Sequence, residues 1–334
     1  MKALIADRSL LTRIPNMLLS KSLTVGVVIR DVPRPKISAT EILIKVNATA
    51  LNPIDAKFID FIAPAGSKLG CDFAGVVAEA GSTASKTWKV GDRVAGFCQG
   101  GVDTEYGSFA EYVKAEQDLV WRIPETTGDT DASPTPGTTK GSKTPILIYA
   151  GSTAVGLFAI QLAKNAGCTV ITTCSPHSFD LVESYGADAA YNYCESNAVE
   201  EIRKAFPNIT KALDCISEGN STDFAARVIG ANGGTVITLL DIKAKVSGVE
   251  VKMIMSFQML GKAFAWLPPI GPKFDASPSD REALVRFYAD LPQRLPAFQA
   301  PPVTVLAGGF DAVLEGLQKI RAGKVSGTKL VVTY

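Results

Sequence analysis

Apolar and polar positions change rhythm once along this chain, near residue 145. Before it, the runs MKALIA, LTVGVVIRDV, EILIKVNATAL, DFAGVVAEAG, GDRVAGF and GSFAEYVKA are short and β-branched, with glycine or proline between them. They predict a β-rich, barrel-like unit. From Pro145 strand and helix alternate. ILIYAG (Ile146 to Gly151) reads as a buried strand, and TAVGLFAIQLAKNAG carries apolar residues at helical spacing up to a glycine stop at Gly167. CTVITTCS, ADAAYNY, KALDCIS and GTVITLL follow as strands, with HSFDLVESYG, AVEEIRKAFP and STDFAARVIGANG as the helices between them. Strands joined through helices of this length imply crossovers, a parallel sheet and a doubly wound domain. After Gly271 come a proline-rich connection, the amphipathic stretch DREALVRFYADLPQRL, a helix GFDAVLEGLQKIRAG and a last strand, KLVVTY. No internal repeat is visible.

One stretch breaks the pattern. ETTGDTDASPTPGTTKGSKT, from Glu125 to Thr144, has Ala132 as its only apolar residue in a chain that is 46% hydrophobic. It has no periodicity and cannot bury a face, so it reads as a surface loop or linker.

Composition narrows the function. With 334 residues the chain has room for about two domains. Its 34 basic and 33 acidic side chains nearly balance, and no basic run is interleaved with aromatics, so nothing points to nucleic acid or a membrane surface. Six cysteines, Cys71, Cys98, Cys168, Cys174, Cys194 and Cys215, are scattered without a C-x-x-C pair, which fits a reducing compartment. The start, MKALIADRSLLTR, lacks the apolar core of a signal peptide, and no apolar run reaches the ~18 residues of a membrane span. The expectation is a soluble, cytoplasmic protein.

The candidate chemistry lies in the turn AGSTAVG. Gly151 is expected to let the backbone turn tightly out of the strand, and Gly156 to let the next helix pack close to the sheet. The amides between them and the helix N-terminus would face an anion. Thr153 stands where a three-glycine fingerprint has its middle glycine, so the setting between strand and helix carries the reading. An ordinary turn of small residues is the other one. A site for NAD calls for a carboxylate at the end of the second strand. That strand ends TTCSPHS, with no acid before Asp180, and Ser175, His177 and Ser178 could donate to a 2′-phosphate. NADP is therefore favoured over NAD. His177 is the only histidine, and a helix-start residue without chemical role is its alternative reading. One histidine and dispersed cysteines speak against a catalytic zinc, and no G-x-S-x-G elbow supports a serine hydrolase.

The phrases LNPIDAK, GCDFAGVVAEAGS, VGDRVAGF, GSFAEY, AGSTAVGLFAIQLAK, TTCSPHSFDLV and GKVSGTKLVV together resemble the medium-chain dehydrogenase/reductase superfamily. Within it they look most like the zinc-independent, quinone-reductase-like branch and the fungal trans-acting enoyl reductases of polyketide biosynthesis. Where zinc-dependent relatives carry Gly-His-Glu, this chain has Gly70-Cys71-Asp72. The resemblance implies an α/β fold: a GroES-like β-barrel domain (1–122 with 271–334), a polar linker (123–144) in place of a family helical segment, and a Rossmann NADP-binding domain (145–270). It implies NADPH as cofactor, with Asn52, Pro53, Ile54 and Asp55 near the nicotinamide half. Gly151, Ser152, Thr153, Ala154, Val155 and Gly156 would lie at the pyrophosphate. Ser175, Pro176, His177 and Ser178 would meet the 2′-phosphate, and Tyr193 the adenosine end. Leu239 and Leu240 would back the nicotinamide, and Val325 and Ser326 would close over it. Gly261, Lys262, Ala263, Phe264 and Ala265 would line the substrate pocket. Lys57 is the candidate catalytic group near the substrate carbonyl; a solvated barrel-surface lysine is its other reading. The implied activity is NADPH-dependent enoyl reduction of a small or carrier-bound substrate in secondary metabolism, with a polyketide synthase as partner. The missing helical segment keeps two other readings open, a non-redox cyclase, isomerase or lyase and an accessory subunit of a synthase.

Overall fold

The computed structural model describes residues 1–19, 26–125, 127, 144–230, 233–267 and 271–334. The polar stretch expected to be a linker, and with it the expected loss of a helical segment, lies almost wholly outside the described residues.

The chain opens with β1 (Lys2–Ala6), followed by helix α1 (Leu10–Leu19) and by β2 (Val27–Asp31), which pairs antiparallel with β1. Then come β3 (Glu41–Ala50), a short helix α2 (Pro53–Lys57) running into a wide π-type turn at Phe58–Ile62, β4 (Asp72–Ala80), β5 (Arg93–Phe97), β6 (Tyr112–Glu116) and β7 (Val120–Arg122). β3, β4, β5 and β6 fall where alternation in the sequence puts them. Helix α1 does not: nothing in the hydrophobic pattern announces it.

The second half alternates as expected: β8 (Pro145–Tyr149), α3 (Ala154–Asn165), β9 (Thr169–Cys174), α4 (Phe179–Ser184), β10 (Ala189–Asn192), α5 (Ala198–Ala205), β11 (Lys211–Asp214), α6 (Ser221–Ile229), β12 (Gly234–Thr238) and a strand not expected, β13 (Val249–Met253). These six strands form one parallel sheet in the order β10-β9-β8-β11-β12-β13. Both faces are covered. Leu147 of β8 packs with Ile202 and Phe224 on the α5 and α6 side, and its neighbour Ile148 with Leu157 and Val182 on the α3 and α4 side. Burying each such side chain contributes about 1.5–3 kcal/mol.

Two short strands, β14 (Phe264–Ala265) and β15 (Lys273–Phe274), pair with each other. Helix α7 (Pro278–Arg294) follows and lays Leu284, Tyr288 and Leu291 against Ala95 and Trp121 of the barrel. β16 (Val303–Ala307), helix α8 (Gly309–Arg321) and β17 (Lys329–Thr333) end the chain. β16 and β17 return to the first half and complete a seven-stranded sheet, β16-β17-β3-β4-β5-β7, with β6 paired on β3. Among the described residues no helix is long and apolar enough to cross a membrane.

Candidate nucleotide and substrate cleft

In the parallel sheet the strand order reverses between β8 and β11, so the connections leaving their carboxyl ends diverge and open a crevice. The glycine turn sits there. Its left-handed residue is Ala150 (φ 62°), one position before the glycine expected to make the turn. Gly151 is required for a different reason: a Cβ there would lie 2.0 Å from Thr172 Oγ1. At Gly156 a Cβ would meet the Ala150 carbonyl at 2.5 Å, which is what lets α3 start against the strand. Thr153 is the N-cap. Its hydroxyl accepts from the Gly156 amide at 3.0 Å and donates to the Ala150 carbonyl at 2.8 Å, a role that a middle glycine could not fill. The amides of Ser152, Ala154 and Val155 have no acceptor among the described residues. Three open amides at the mouth of a helix fit a pyrophosphate. The left-handed strain at Ala150 gives a first expectation. Ala150→Gly, read by urea denaturation, should stabilise the protein by about 0.5–1 kcal/mol, because the cost of a left-handed L-residue exceeds the added entropy of glycine.

The other expected nucleotide residues leave the same edge of the sheet. Ser175 follows β9, with Pro176 and His177 exposed and Ser178 buried beneath them. Tyr193 follows β10, half-exposed, its ring 6.1 Å from Tyr149 at the end of β8. Leu239 and Leu240 follow β12, and the Leu239 amide donates to Ser217 Oγ at 2.8 Å. That last contact exposes a feature absent from the sequence-based candidates. Asp214, at the end of β11 and fully buried, accepts from the Ile216 and Ser217 amides (3.0 and 2.9 Å) and from the Ser221 and Thr222 hydroxyls (both 2.7 Å). It freezes the loop from 215 to 220 that carries Glu218. The only signal in the sequence is an acid at a strand end followed by hydroxyl residues, DCISEGNST.

Across the crevice stands the barrel wall. Asn52 caps α2, and its backbone amide donates to Asp55 Oδ2 at 2.8 Å. The Asn52 side chain donates to Asp72 Oδ2 at 2.9 Å and accepts from the Lys329 ammonium, which also lies 3.6 Å from Asp72. Asp55 is 1% exposed, and its Oδ1 has no partner. Burial first, and then the Asp72 carboxylate, push the Asp55 carboxyl from its ordinary 3.8 up to about 7. The folded protein thus holds this proton more tightly than the unfolded chain. Stability is greatest below the ordinary value and falls as pH rises from about 4 to about 7, by at most ~4 kcal/mol at 1.36 kcal/mol per pH unit. Asp55→Asn should abolish that fall. At pH 8 the variant should be more stable than the native chain by about 2 kcal/mol, once the loss of a charge-assisted bond from the Asn52 amide is set against it. Urea denaturation at pH 5 and pH 8 reads both effects.

Lys57, the last residue of α2, reaches over the crevice and pairs with Glu218. The two walls are therefore tied at the candidate catalytic position. The next residue, Phe58, opens an aromatic group: its ring lies 5.9 Å from Phe257 and 6.0 Å from Trp266, and Phe264 stacks on Phe274 at 4.6 Å. The expected substrate stretch divides here. Phe264 joins the aromatic group, and Ala265 pairs with Lys273. Gly261 closes a short turn in the left-handed conformation (φ 77°), while Lys262 pairs with Glu116 at 2.6 Å and Ala263 is exposed. Val325 packs on the barrel-side core, and Ser326 beside it is exposed.

Comparison with known proteins decides the lineage. The alcohol dehydrogenase GroES-like domain profile matches residues 38–125, and the zinc-binding dehydrogenase profile matches residues 154–260. The trans-enoyl reductase FSL5 of Gibberella zeae is 35% identical over 91% of this chain and 92% of its own, and the trans-enoyl reductase mpsG of Macrophomina phaseolina is 36% identical over 91% and 94%. The chain belongs to the trans-enoyl reductases of the medium-chain dehydrogenase/reductase superfamily. Mycobacterial Rv1454c, solved in complex with NADPH, shares the fold over the whole of both chains (TM-score 0.69, 20% identity). The chain is thus an oxidoreductase of a superfamily that uses reduced nicotinamide dinucleotides.

Superfamily members with zinc carry Gly-His-Glu where this chain has Gly70-Cys71-Asp72. Burial, and then Asp55, push the Cys71 thiol well above its ordinary range. Among the described residues no group of three or more His, Cys, Asp and Glu is placed to hold a metal ion.

Proposed function

We propose that this trans-enoyl reductase family member is an NADPH-dependent reductase of α,β-unsaturated acyl substrates of the polyketide type, presented as small molecules or on the carrier of a synthase. One observation supports it above the others. At the β8/β11 switch point an open helix N-terminus faces a barrel wall whose Lys57 reaches across to Glu218, leaving a cleft with an anion-binding side and an aromatic side. When bound, the nicotinamide supplies a hydride; the protein binds, orients and excludes water. The Ser152, Ala154 and Val155 amides would hold the pyrophosphate. Ser175 and His177, with no acid beside them at the end of β9, favour a 2′-phosphate over a free ribose. Asn52 to Asp55, Leu239, Leu240, Val325 and Ser326 would enclose the nicotinamide, Tyr193 the adenosine, and Phe264 with its aromatic neighbours the acyl chain. Lys57 closes the cleft at the substrate end. The likeness to trans-enoyl reductases supports a polyketide synthase as partner.

Titration with NADPH and with NADH, followed by quenching of the three tryptophans, tests the cofactor side. Micromolar binding of NADPH with NADH at least tenfold weaker is the expected result. Binding of neither would point to a cofactor-free reaction or an accessory role in a synthase.

A further inference from the structure

The reductase reading leaves one charged group unused. Lys329 opens β17, three residues after Ser326, and its ammonium is mostly buried. Of its three donors, one goes to Asn52 Oδ1 and a second lies toward Asp72 Oδ2. No other described residue takes the third. The neighbours on either side are informative. Asn52 belongs to the expected nicotinamide wall. Asp72 pairs across the barrel sheet with Phe97, whose ring is 6.4 Å from Phe257, and Phe257 meets Phe264 edge-on at 6.2 Å. Lys329 is therefore held on the expected cofactor wall, by a carboxylate whose strand partner Phe97 begins the ring contacts toward the expected acyl wall. The Lys57 ammonium, by contrast, pairs with Glu218 of the facing wall and is the more exposed of the two.

We propose that Lys329 is a catalytic residue: its free N–H binds the carbonyl oxygen of the α,β-unsaturated acyl substrate and stabilises the enolate formed during reduction. The step balances as follows. The β-carbon gains a hydride from the reduced nicotinamide. The C=C electron pair shifts to make a C=C bond between the α-carbon and the carbonyl carbon, and the carbonyl π pair moves onto oxygen, where the ammonium meets it. A proton from water then adds at the α-carbon, and the carbonyl re-forms as the charge on oxygen is released. Asn52 and Asp72 act through Lys329, holding its nitrogen in place, so they are positioning residues. A preorganised donor aimed at developing negative charge contributes most when it is fixed before the reaction.

The inference rests on the enoyl reductase reading, and its test separates the two. Butyryl-N-acetylcysteamine, labelled with ¹³C at the thioester carbonyl, is bound to the full chain loaded with NADP⁺, and its carbonyl stretch is read by infrared difference spectroscopy. Turnover of crotonyl-N-acetylcysteamine with NADPH is measured alongside. In the native chain the stretch should move to lower wavenumber. In Lys329→Met it should return to its solution value, kcat should fall about 100- to 1,000-fold, and NADPH affinity should stay within about twofold. A purely structural lysine would leave the carbonyl band where it was. Should Lys329→Met fail to fold, Lys329→Arg keeps a cation beside Asp72 with its donors displaced; a shifted band and a kcat at least about tenfold lower support the proposal. An unchanged band, or a kcat within about threefold of native, overturns it. A native chain that neither reduces the crotonyl thioester nor shows a bound carbonyl band overturns the enoyl reductase reading itself, and the inference with it.

Discussion

Replacing Asp60 by alanine is expected to cost roughly 3–5 kcal/mol of stability, the range for breaking a buried ion pair by removing one partner. Asp60 sits in the π-type turn after α2 and is buried. Arg321, at the end of α8, grips both of its oxygens (2.8 and 2.9 Å), and Arg8 reaches Oδ1 at 3.1 Å. The wide turn leaves carbonyls pointing outward, and α1 answers them: Asn16 donates to the Asp60 carbonyl at 3.1 Å and Arg13 to that of Ile62. The carboxylate thus joins the segment just before α1, the turn behind Lys57, and the helix that leads to Val325, Ser326 and Lys329, while α1 itself binds the carbonyls of the turn. Alanine would leave the buried Arg8 and the partly exposed Arg321 guanidinium groups without their shared anion. Chemical denaturation reads the loss; a cost below about 1 kcal/mol would mean that the arginines find water or other acceptors instead.

Asp214→Ala should be comparably damaging, by about 3–5 kcal/mol, and should also reach the cofactor. Its carboxylate collects two amides and two hydroxyls, and alanine would leave the Ser217 amide and the Ser221 and Thr222 hydroxyls buried without this acceptor, beside the partly buried Ile216 amide. The loop from 215 to 220 would then lose its shape, and with it the Glu218 partner of Lys57 and the Ser217 hydroxyl that receives the Leu239 amide. NADPH affinity is expected to drop tenfold or more. Asp214→Asn, which keeps one acceptor oxygen, should recover part of both losses. Denaturation and fluorescence titration on the same preparations separate the effects, since a stable variant that binds NADPH normally would deny the loop its role.

Strands and crossover helices could be read from the sequence wherever a burial period repeats. β8 to β12 alternate between two covered faces, and the helices between them show the matching spacing. The misses have physical causes. Helix α1 is turned inside out: Arg13 and Asn16 are 6% and 1% exposed, while Leu11 and Leu18 are 79% and 80% exposed. A reading that seeks apolar residues inside cannot find a helix whose polar face is the buried one. β13 is a short edge strand that exposes alternate residues, β16 is an edge strand with no period-2 burial, and β7 has three residues. At the site, the turn AGSTAVG could be located from its glycines and its neighbours, but the left-handed position fell on Ala150 because close packing against Thr172, rather than φ, is what demands glycine at 151. Lys329 and Glu218 could not be found this way. Their partners Asn52 and Lys57 lie 277 and 161 residues away in sequence, and only folding brings them together.

The most direct measurement is a single turnover of crotonyl-N-acetylcysteamine with NADPH dideuterated at C4 of the nicotinamide, with the thioester product analysed by mass spectrometry. Butyryl thioester carrying one deuterium at its β-carbon is the expected product. Conversion of the crotonyl thioester without deuterium incorporation, or recovery of unreacted thioester and cofactor, would contradict hydride transfer at this cleft.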